Sequence, residues 1–205
     1  MKKIMMIAAM MVATVAAKAQ FEPGTFTLQP KVGFELSDLS FKNSKYKPGF
    51  VAGIEGQYQL KTWLGLTAGV LYTQEGSKIK DTDGGKFNME YINIPVMAKF
   101  YPTKGLSLSA GVQLGFMTKA KVKYEGMEEN MKSLCNKVDF SIPLSIGYEF
   151  ENGLSLEARY TGGLTNVIKK GVFDEMREDG WRFKVKNTNN KNEVFMLTVG
   201  YKFAL

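Results

Sequence analysis

The chain has 205 residues, a formal net charge of +7, no histidine and 44% hydrophobic residues, which fits a single domain. The basic residues are spread along the sequence rather than clustered, so a nucleic-acid-binding surface is excluded. The single cysteine, Cys135, excludes an intramolecular disulfide framework, and the histidine that commonly activates a catalytic thiol is missing.

The N-terminus has the features of a secretory signal peptide. Lys2 and Lys3 precede an apolar run from Ile4 to Ala17, and Ala17-Lys18-Ala19 is a small-x-small cleavage site. The run is too short for a membrane-spanning helix. We therefore predict a cleaved signal peptide over residues 1–19 and one domain over residues 20–205, with a net charge of +4.

Eight later stretches alternate strictly between apolar and polar residues, and no apolar-phase position carries a charge. A period of two indicates strands with two chemically different faces, and each stretch is long enough to cross a bilayer as a tilted strand. The sequence predicts an all-β fold, an eight-stranded antiparallel up-and-down transmembrane β-barrel. The stretches are 26–36, 50–60, 64–72, 92–100, 106–116, 138–150, 154–164 and 195–205.

The connections between these stretches alternate in length. Short turns at 61–62, 102–105 and 151–153 alternate with long polar segments near 37–47, 75–88, 124–137 and 167–191. This alternation is typical of outer-membrane barrels, and it places both termini on the periplasmic, short-turn side.

The long segments contain three local features. We expect a short helix over Glu125–Ser133, a plain turn rather than a calcium loop at Asp81–Gly85, and a loop thiol at Cys135 that an impermeant maleimide can label.

A soluble lipocalin-like barrel would also alternate, with its apolar face inward. Two features favour the membrane barrel. Small residues such as Gly33, Gly53 and Gly111 fill the polar phase, as a narrow lumen needs, and aromatic residues gather near the strand ends as an interfacial girdle. We therefore expect a bacterial outer-membrane location with the apolar face towards lipid.

The charged residues of the polar phase then become lumen groups, and buried charges require partners. We expect an ion-pair network that fills the lumen, with Lys99, Glu149, Glu157 and Lys202 near the periplasmic end and Lys31 and Arg159 nearer the middle. A proton or ion path is the alternative, and an open diffusion pore is excluded by the width of eight strands. The predicted network is Lys31, Glu35, Glu55, Lys99, Asp139, Glu149, Glu157, Arg159 and Lys202.

Two further groups of residues suggest partners. Phe173, Arg177, Trp181 and Arg182 in the last long loop could contact lipopolysaccharide phosphates or a partner protein. The terminal Tyr201, Phe203 and Leu205 resemble the C-terminal signal that the barrel-assembly machinery reads during insertion. We expect a monomer in contact with outer-membrane lipid and lipopolysaccharide, with an unidentified surface or periplasmic protein as a further candidate partner.

The segment Tyr91–Tyr101 (YINIPVMAKFY) resembles a strand of the PorT-like outer-membrane β-barrel domains of Bacteroidota. Gly49–Leu60 and Leu154–Asn166 resemble two other strands of that family, so the resemblance covers the whole mature chain. It implies the barrel fold and the outer-membrane location. The family takes its name from a member tied to a secretion system, and the resemblance supplies no catalytic residues.

No catalytic constellation, cofactor motif or metal-binding motif is recognisable, so we do not expect an enzyme. The sequence predicts a structural or surface-recognition role carried by extracellular loops. An accessory role in secretion or assembly machinery and a narrow, porin-like channel are the alternatives.

Overall fold

A computed structural model of the chain describes residues 22–40, 44–79, 86–124, 127–169 and 190–205. Three sequence predictions lie outside the described residues. They are the signal peptide over 1–19, the turn at Asp81–Gly85, and the loop contacts Phe173, Arg177, Trp181 and Arg182.

Eight long antiparallel strands close into a barrel, because the first strand pairs with both the second and the last long strand. The eight are β1 (Phe26–Leu39), β2 (Ser44–Lys61), β3 (Leu64–Thr73), β5 (Lys86–Phe100), β6 (Leu106–Tyr124), β8 (Val138–Glu149), β9 (Leu154–Gly163) and β10 (Asn192–Tyr201). Three short strands extend them: β4 (Gly76–Ile79), β7 (Met127–Asn130) and β11 (Phe203–Ala204). Each predicted stretch lies on one long strand, so the predicted fold class is confirmed.

The chain end completes the closure of the barrel. β11 continues the pairing of β10 with β1, so Phe203 lies opposite Leu28 and Ala204 opposite Thr27. The backbone N–H of Leu205 donates to the carbonyl of Phe26 at 3.0 Å. The last residues of the chain therefore seal the seam at the end of the barrel that carries the short turns, which we call the short-turn end. The opposite end is the long-loop end.

The apolar phase faces outward. Phe34 and Leu197 are 77% and 62% exposed, whereas Lys31 in the opposite phase is 2% exposed. The soluble alternative with an apolar interior is therefore excluded. At the short-turn end, aromatic rings pack edge to face along this outer surface, as in the pairs Trp63–Phe100 and Tyr148–Phe150. Within the described ranges, no helix is long and apolar enough to cross a membrane.

Two inward-facing glycines allow close approach of neighbouring strands. A Cβ atom at Gly111 would lie 2.0 Å from the carbonyl oxygen of Val96, and one at Gly33 would lie 2.1 Å from that of Leu197. Neither position can accept a side chain without moving the adjacent backbone.

The β5–β6 hairpin is longer than the sequence predicted. Pairing continues past Ile92 and Phe116 as far as Lys86 and Lys123, with a bulge opposite Glu90 and Tyr91.

The helix predicted over Glu125–Ser133 is wrong. Met127–Asn130 forms β7 on the edge of β6 instead, and only Lys132–Leu134 forms a 3₁₀ turn. The open edge of β6 offers backbone hydrogen bonds to β7, and Glu128 lies between two lysines of β6.

Candidate functional site

All nine charged residues predicted for the lumen are buried inside the barrel, each less than a tenth exposed. Seven of them form two separate ion clusters, one at the short-turn end and one near the middle. The other two, Glu35 and Asp139, lie towards the long-loop end and make no ion pair with any described residue.

The basal cluster consists of Gln57, Lys99, Tyr101, Glu149 and Lys202. Glu149 Oε1 accepts from Lys99 Nζ at 2.5 Å, from Lys202 Nζ at 2.6 Å and from the Tyr101 hydroxyl at 3.0 Å. Lys202 Nζ also donates to Gln57 Oε1 at 2.9 Å. One carboxylate thus holds two ammonium groups and a phenol in a single hydrogen-bonded layer.

The basal cluster extends across the whole lumen. Around the wall, the eight long strands follow the order β1, β2, β3, β5, β6, β8, β9, β10. Gln57 lies on β2, Lys99 on β5, Glu149 on β8, and Lys202 between β10 and β11. Every second strand therefore contributes a side chain; Lys99 and Lys202 bond to Glu149, and Gln57 joins the cluster through Lys202 and Tyr101.

The central cluster consists of Lys31, Glu55, Glu157 and Arg159. Arg159 Nη2 lies 2.7 Å from both Glu55 Oε1 and Glu157 Oε1, and Lys31 Nζ lies 2.6 Å from Glu55 Oε2 and 3.3 Å from Glu157 Oε2. Two cations and two carboxylates therefore alternate. Glu157, predicted near the periplasmic end with Lys99 and Glu149, bonds directly to Lys31 and Arg159.

The ion-pair prediction is wrong for Glu35 and Asp139. Neither carboxylate oxygen of Glu35 has a hydrogen-bond partner among the described residues, and the side chain rests against Gly49. Asp139 accepts a hydrogen bond from the Thr165 hydroxyl. The lysines and the arginine of the lumen lie below these two acids, bonded to the three glutamates of the clusters.

The interior at the long-loop end is apolar, which the sequence analysis missed. A buried group, here called the cap cluster, closes this end of the described barrel. It consists of Leu39, Phe87, Met89, Tyr91, Met117, Ala120, Cys135 and Val167.

The sequence does indicate the cap cluster, by a change along β5 and β6 in which phase of the alternation is apolar. Below Ile92 the apolar residues of β5 face outward, but above it Phe87, Met89 and Tyr91 are buried and Lys86 is exposed. On β6 the same change follows Phe116. The hairpin above these residues thus has the polarity of a protein surrounded by water. Tyr91-Ile92 and Phe116-Met117, two adjacent apolar pairs, mark the upper edge of the outward apolar band.

Cys135 belongs to the cap cluster and is 1% exposed, so the prediction of an accessible loop thiol is wrong. Burial raises the pKa of this thiol to about 11, with Lys169 opposing the shift. A buried thiol with a raised pKa is a poor nucleophile.

The outward face of the long hairpin carries four exposed lysines, Lys86, Lys119, Lys121 and Lys123, which we call the lysine face. Lys121 donates to Glu128 at 3.1 Å, and this bond, together with Lys123, holds the pKa of Glu128 below its usual range.

In the part of the chain that the structure describes, no group of three or more Cys, Asp or Glu side chains converges as a metal site.

Comparison with known proteins identifies the family. A model of the outer membrane protein beta-barrel domain matches residues 18–169. Among solved structures, surface protein A of Neisseria (NspA) aligns with a TM-score of 0.54 at 16% identity, over 87% of this chain and 97% of its own. Ail, the attachment invasion locus protein of Yersinia pestis, crystallised with the heparin analogue sucrose octasulfate, aligns with a TM-score of 0.50 at 17% identity, over 89% of this chain and 100% of its own. No curated protein sequence matches the chain significantly. With its closed eight-stranded barrel and its outward apolar band, the chain belongs to the outer-membrane protein β-barrel domain family.

Proposed function

We propose that this protein is a non-conducting, non-catalytic outer-membrane barrel that acts in recognition at the cell surface. The observation that carries the proposal is the basal cluster. Side chains from every second strand form one hydrogen-bonded group around Glu149 and Lys202, so this group occupies the cross-section that an ion would have to pass. Eight-stranded barrels have interiors just wide enough for such side chains.

We infer the orientation of the barrel in the membrane from the lengths of the connections between its strands. In outer-membrane barrels the short turns are periplasmic and the long loops extracellular. Applied here, this rule puts the ends of β1 and β11 in the periplasm and the lysine face at the outer surface. The inverted polarity of the β5–β6 hairpin supports this orientation, because a strand region with polar residues outside and apolar residues inside belongs in water.

The lysine face supports recognition of anionic groups. Lys86 lies directly opposite Lys123 across β5 and β6, and Lys121 lies two pairs below, on the same face. Glu128 neutralises part of this charge, and exposed pairs of this kind contribute little. The related structure of Ail contains sucrose octasulfate. For this chain we propose the phosphate or sulfate groups of surface glycans, including lipopolysaccharide, as the ligands.

Planar-bilayer recording tests the first half of the proposal. We expect the purified wild-type barrel to give no conductance steps at neutral pH. The variant Glu149→Ala with Lys202→Ala removes the centre of the basal cluster and should give no steps either, because the central cluster and the cap cluster still fill the barrel above it. Steps in the wild type would contradict the proposal and favour the narrow channel.

Binding of a fluorescent heparin-type oligosaccharide to the detergent-solubilised protein tests the second half. Lys86→Gln with Lys123→Gln should weaken binding about tenfold, while Lys104→Gln, an exposed lysine in a short turn, should not change it. Equal binding by both variants would contradict recognition through the lysine face. A secretion component captured from intact membranes by both variants would instead favour the accessory role, and with it the PorT-like assignment.

A further inference from the structure

A small enclosed cavity of about 10 Å³ lies directly below the cap cluster. Its polar wall includes Glu75, Asn93, Gln113, Asp139, Thr161 and Asn192. These residues come from β5, β6, β8, β9 and β10 and from the segment between β3 and β4. The cavity is therefore formed only when the barrel closes, and its volume accommodates about one water molecule or one metal ion.

Three side-chain oxygens that line this cavity are buried and have no hydrogen-bond partner among the described residues. They are Gln113 Oε1, Thr161 Oγ1 and Asn192 Oδ1, and each residue is at most 4% exposed. An unpartnered buried oxygen costs about 1–3 kcal/mol, so three around one cavity indicate that something bound there satisfies them.

The neighbouring hydrogen bonds explain why oxygens face the cavity. Glu75 Oε1 accepts from the Thr73 hydroxyl at 2.6 Å and from Asn93 Nδ2 at 3.0 Å, and Glu75 Oε2 accepts from Asn192 Nδ2. Both oxygens of the Glu75 side chain therefore act as hydrogen-bond acceptors. Because the amide nitrogen of Asn192 is used on Glu75, its amide oxygen is left for the cavity.

No described cation pairs with the acids of the cavity. Lys47, the nearest lysine to Glu75, donates to the backbone carbonyl of Glu75 at 3.0 Å and not to its carboxylate. Asp139 adds a second carboxylate at 7% exposure. Two buried carboxylates without a direct ion pair are unfavourable, and a bound cation removes that cost.

We propose that this cavity binds a single hard metal cation, Ca²⁺ by its ligand class. Carboxylate, amide and hydroxyl oxygens from several strands are the ligands that Ca²⁺ takes in flexible geometry. Mg²⁺ fits less well, because it usually keeps several of its waters and the cavity has room for about one. The ion would tie Glu75 to β6, β8, β9 and β10 and so fix the segment between β3 and β4 beneath the cap cluster.

Terbium luminescence tests the proposal, because Tb³⁺ occupies calcium sites and emits when a nearby tyrosine absorbs. The Tyr91 ring borders the cavity: a Cβ atom built on Gly115 would lie 2.6 Å from Asn93 Oδ1, 3.4 Å from Tyr91 Cδ1 and 3.6 Å from Asp139 Cβ. We expect the purified full-length barrel in detergent to bind one Tb³⁺ with sensitised emission, and Ca²⁺ to displace it.

Three variants at the site and one control variant distinguish this site from others. Glu75→Gln and Gln113→Leu, on different segments, should each weaken Ca²⁺ competition by more than about tenfold. Tyr91→Phe should lower the emission without changing the affinity. Glu128→Gln, which changes an exposed acid, should change neither.

The barrel fold of each variant is checked by its heat-modifiable mobility on a gel. Folded wild-type protein that gives no calcium-displaceable emission would show that the cavity holds only water and overturn the proposal. Emission unchanged in both Glu75→Gln and Gln113→Leu would also overturn it, by placing the ion elsewhere.

Discussion

Arg159 donates from Nη2 to Glu55 Oε1 at 2.7 Å, and this bond joins two strands that are not neighbours. Arg159 lies on β9 and Glu55 on β2, and the wall runs through β10 and β1 between them. A register shift of one residue would turn either side chain towards lipid, where a charge is costly. The central cluster therefore favours one register for the three strands that carry it, β1, β2 and β9, in addition to whatever net stability its ion pairs contribute.

The basal cluster yields a stability prediction. Glu149→Gln removes the only carboxylate that Lys99 and Lys202 contact within hydrogen-bond distance in the described structure. Removal of one partner from a buried ion pair leaves uncompensated charge, so we expect the free energy of unfolding to fall by about 3 kcal/mol. Urea titration of the barrel in lipid vesicles, followed by tryptophan fluorescence, measures it.

Two controls accompany this measurement. Glu128→Gln removes an exposed carboxylate that also contacts two lysines, and it should change the free energy of unfolding by less than about 0.5 kcal/mol. Glu149→Gln combined with Lys202→Met also removes one of the two buried cations that Glu149 contacts, so it should be less destabilised than Glu149→Gln alone. A double variant that is more unstable than the single one would show that charge is not the cause.

The close approach at Gly111 gives a second prediction. Because a Cβ atom there would lie 2.0 Å from the Val96 carbonyl oxygen, Gly111→Ala must displace β5 or β6. Displacement of packed backbone costs about 1–3 kcal/mol, which urea titration can detect. Gly162→Ala is the matched control, since its nearest neighbour would be 3.5 Å away. Equal stability of the two alanine variants would mean that the strands separate without cost.

The strands could be predicted from sequence because a lipid-facing wall has a strictly local signature. In β10, Phe195, Leu197 and Val199 face outward, and no distant residue is needed to identify them. The charged residues of the lumen could also be predicted, because they occupy the opposite, polar phase of the same alternation. The choice of partners could not be predicted, because Arg159 reaches Glu55 only through closure of the barrel.

The extension of β5 and β6 was missed for a different reason. A strand that leaves the apolar band keeps its period of two but exchanges its faces, so Phe87, Met89 and Tyr91 continue the alternation in the opposite phase. An alternation that keeps its apolar residues in one fixed phase begins on β5 only at Ile92. The residues before Ile92 were therefore not assigned to the strand. The cavity around Glu75 was missed as well, because its seven polar residues come from segments far apart in the sequence.

The burial of Cys135 leads to a third prediction. Its thiol is 1% exposed with a pKa raised to about 11, so the folded protein should react slowly with maleimide at pH 7. Because an unperturbed thiol ionises near pH 9, raising the pH to 9 should speed a free loop thiol but leave Cys135 almost unreactive. Mass spectrometry of the labelled protein measures both rates.

Ser133→Cys with Cys135→Ser supplies the control, because Ser133 is exposed two residues away. This variant should label within minutes on the folded barrel and at the same rate in urea. Wild-type labelling as fast as the control would mean that the cap cluster opens in solution.

The chain end allows a test of the proposed insertion signal, Tyr201, Phe203 and Leu205. In the folded barrel Phe203 lies opposite Leu28, and its ring centroid is 4.7 Å from that of Tyr201. If Phe203 is part of a signal that the assembly machinery reads before the seam closes, Phe203→Ala should lower the amount of heat-modifiable barrel in cell envelopes several-fold. Refolding of the same variant from urea into vesicles, where no machinery acts, should stay close to that of the wild type.

Phe140→Ala is the matched control for Phe203→Ala, since Phe140 is an outward, half-exposed phenylalanine in the middle of the wall. It removes the same apolar area from the lipid-facing surface and leaves the last three residues intact. The control should assemble in cells as the wild type does. If Phe203→Ala fails equally in cells and in vesicles, the side chain stabilises the seam rather than directing insertion, because only a signal needs a reader.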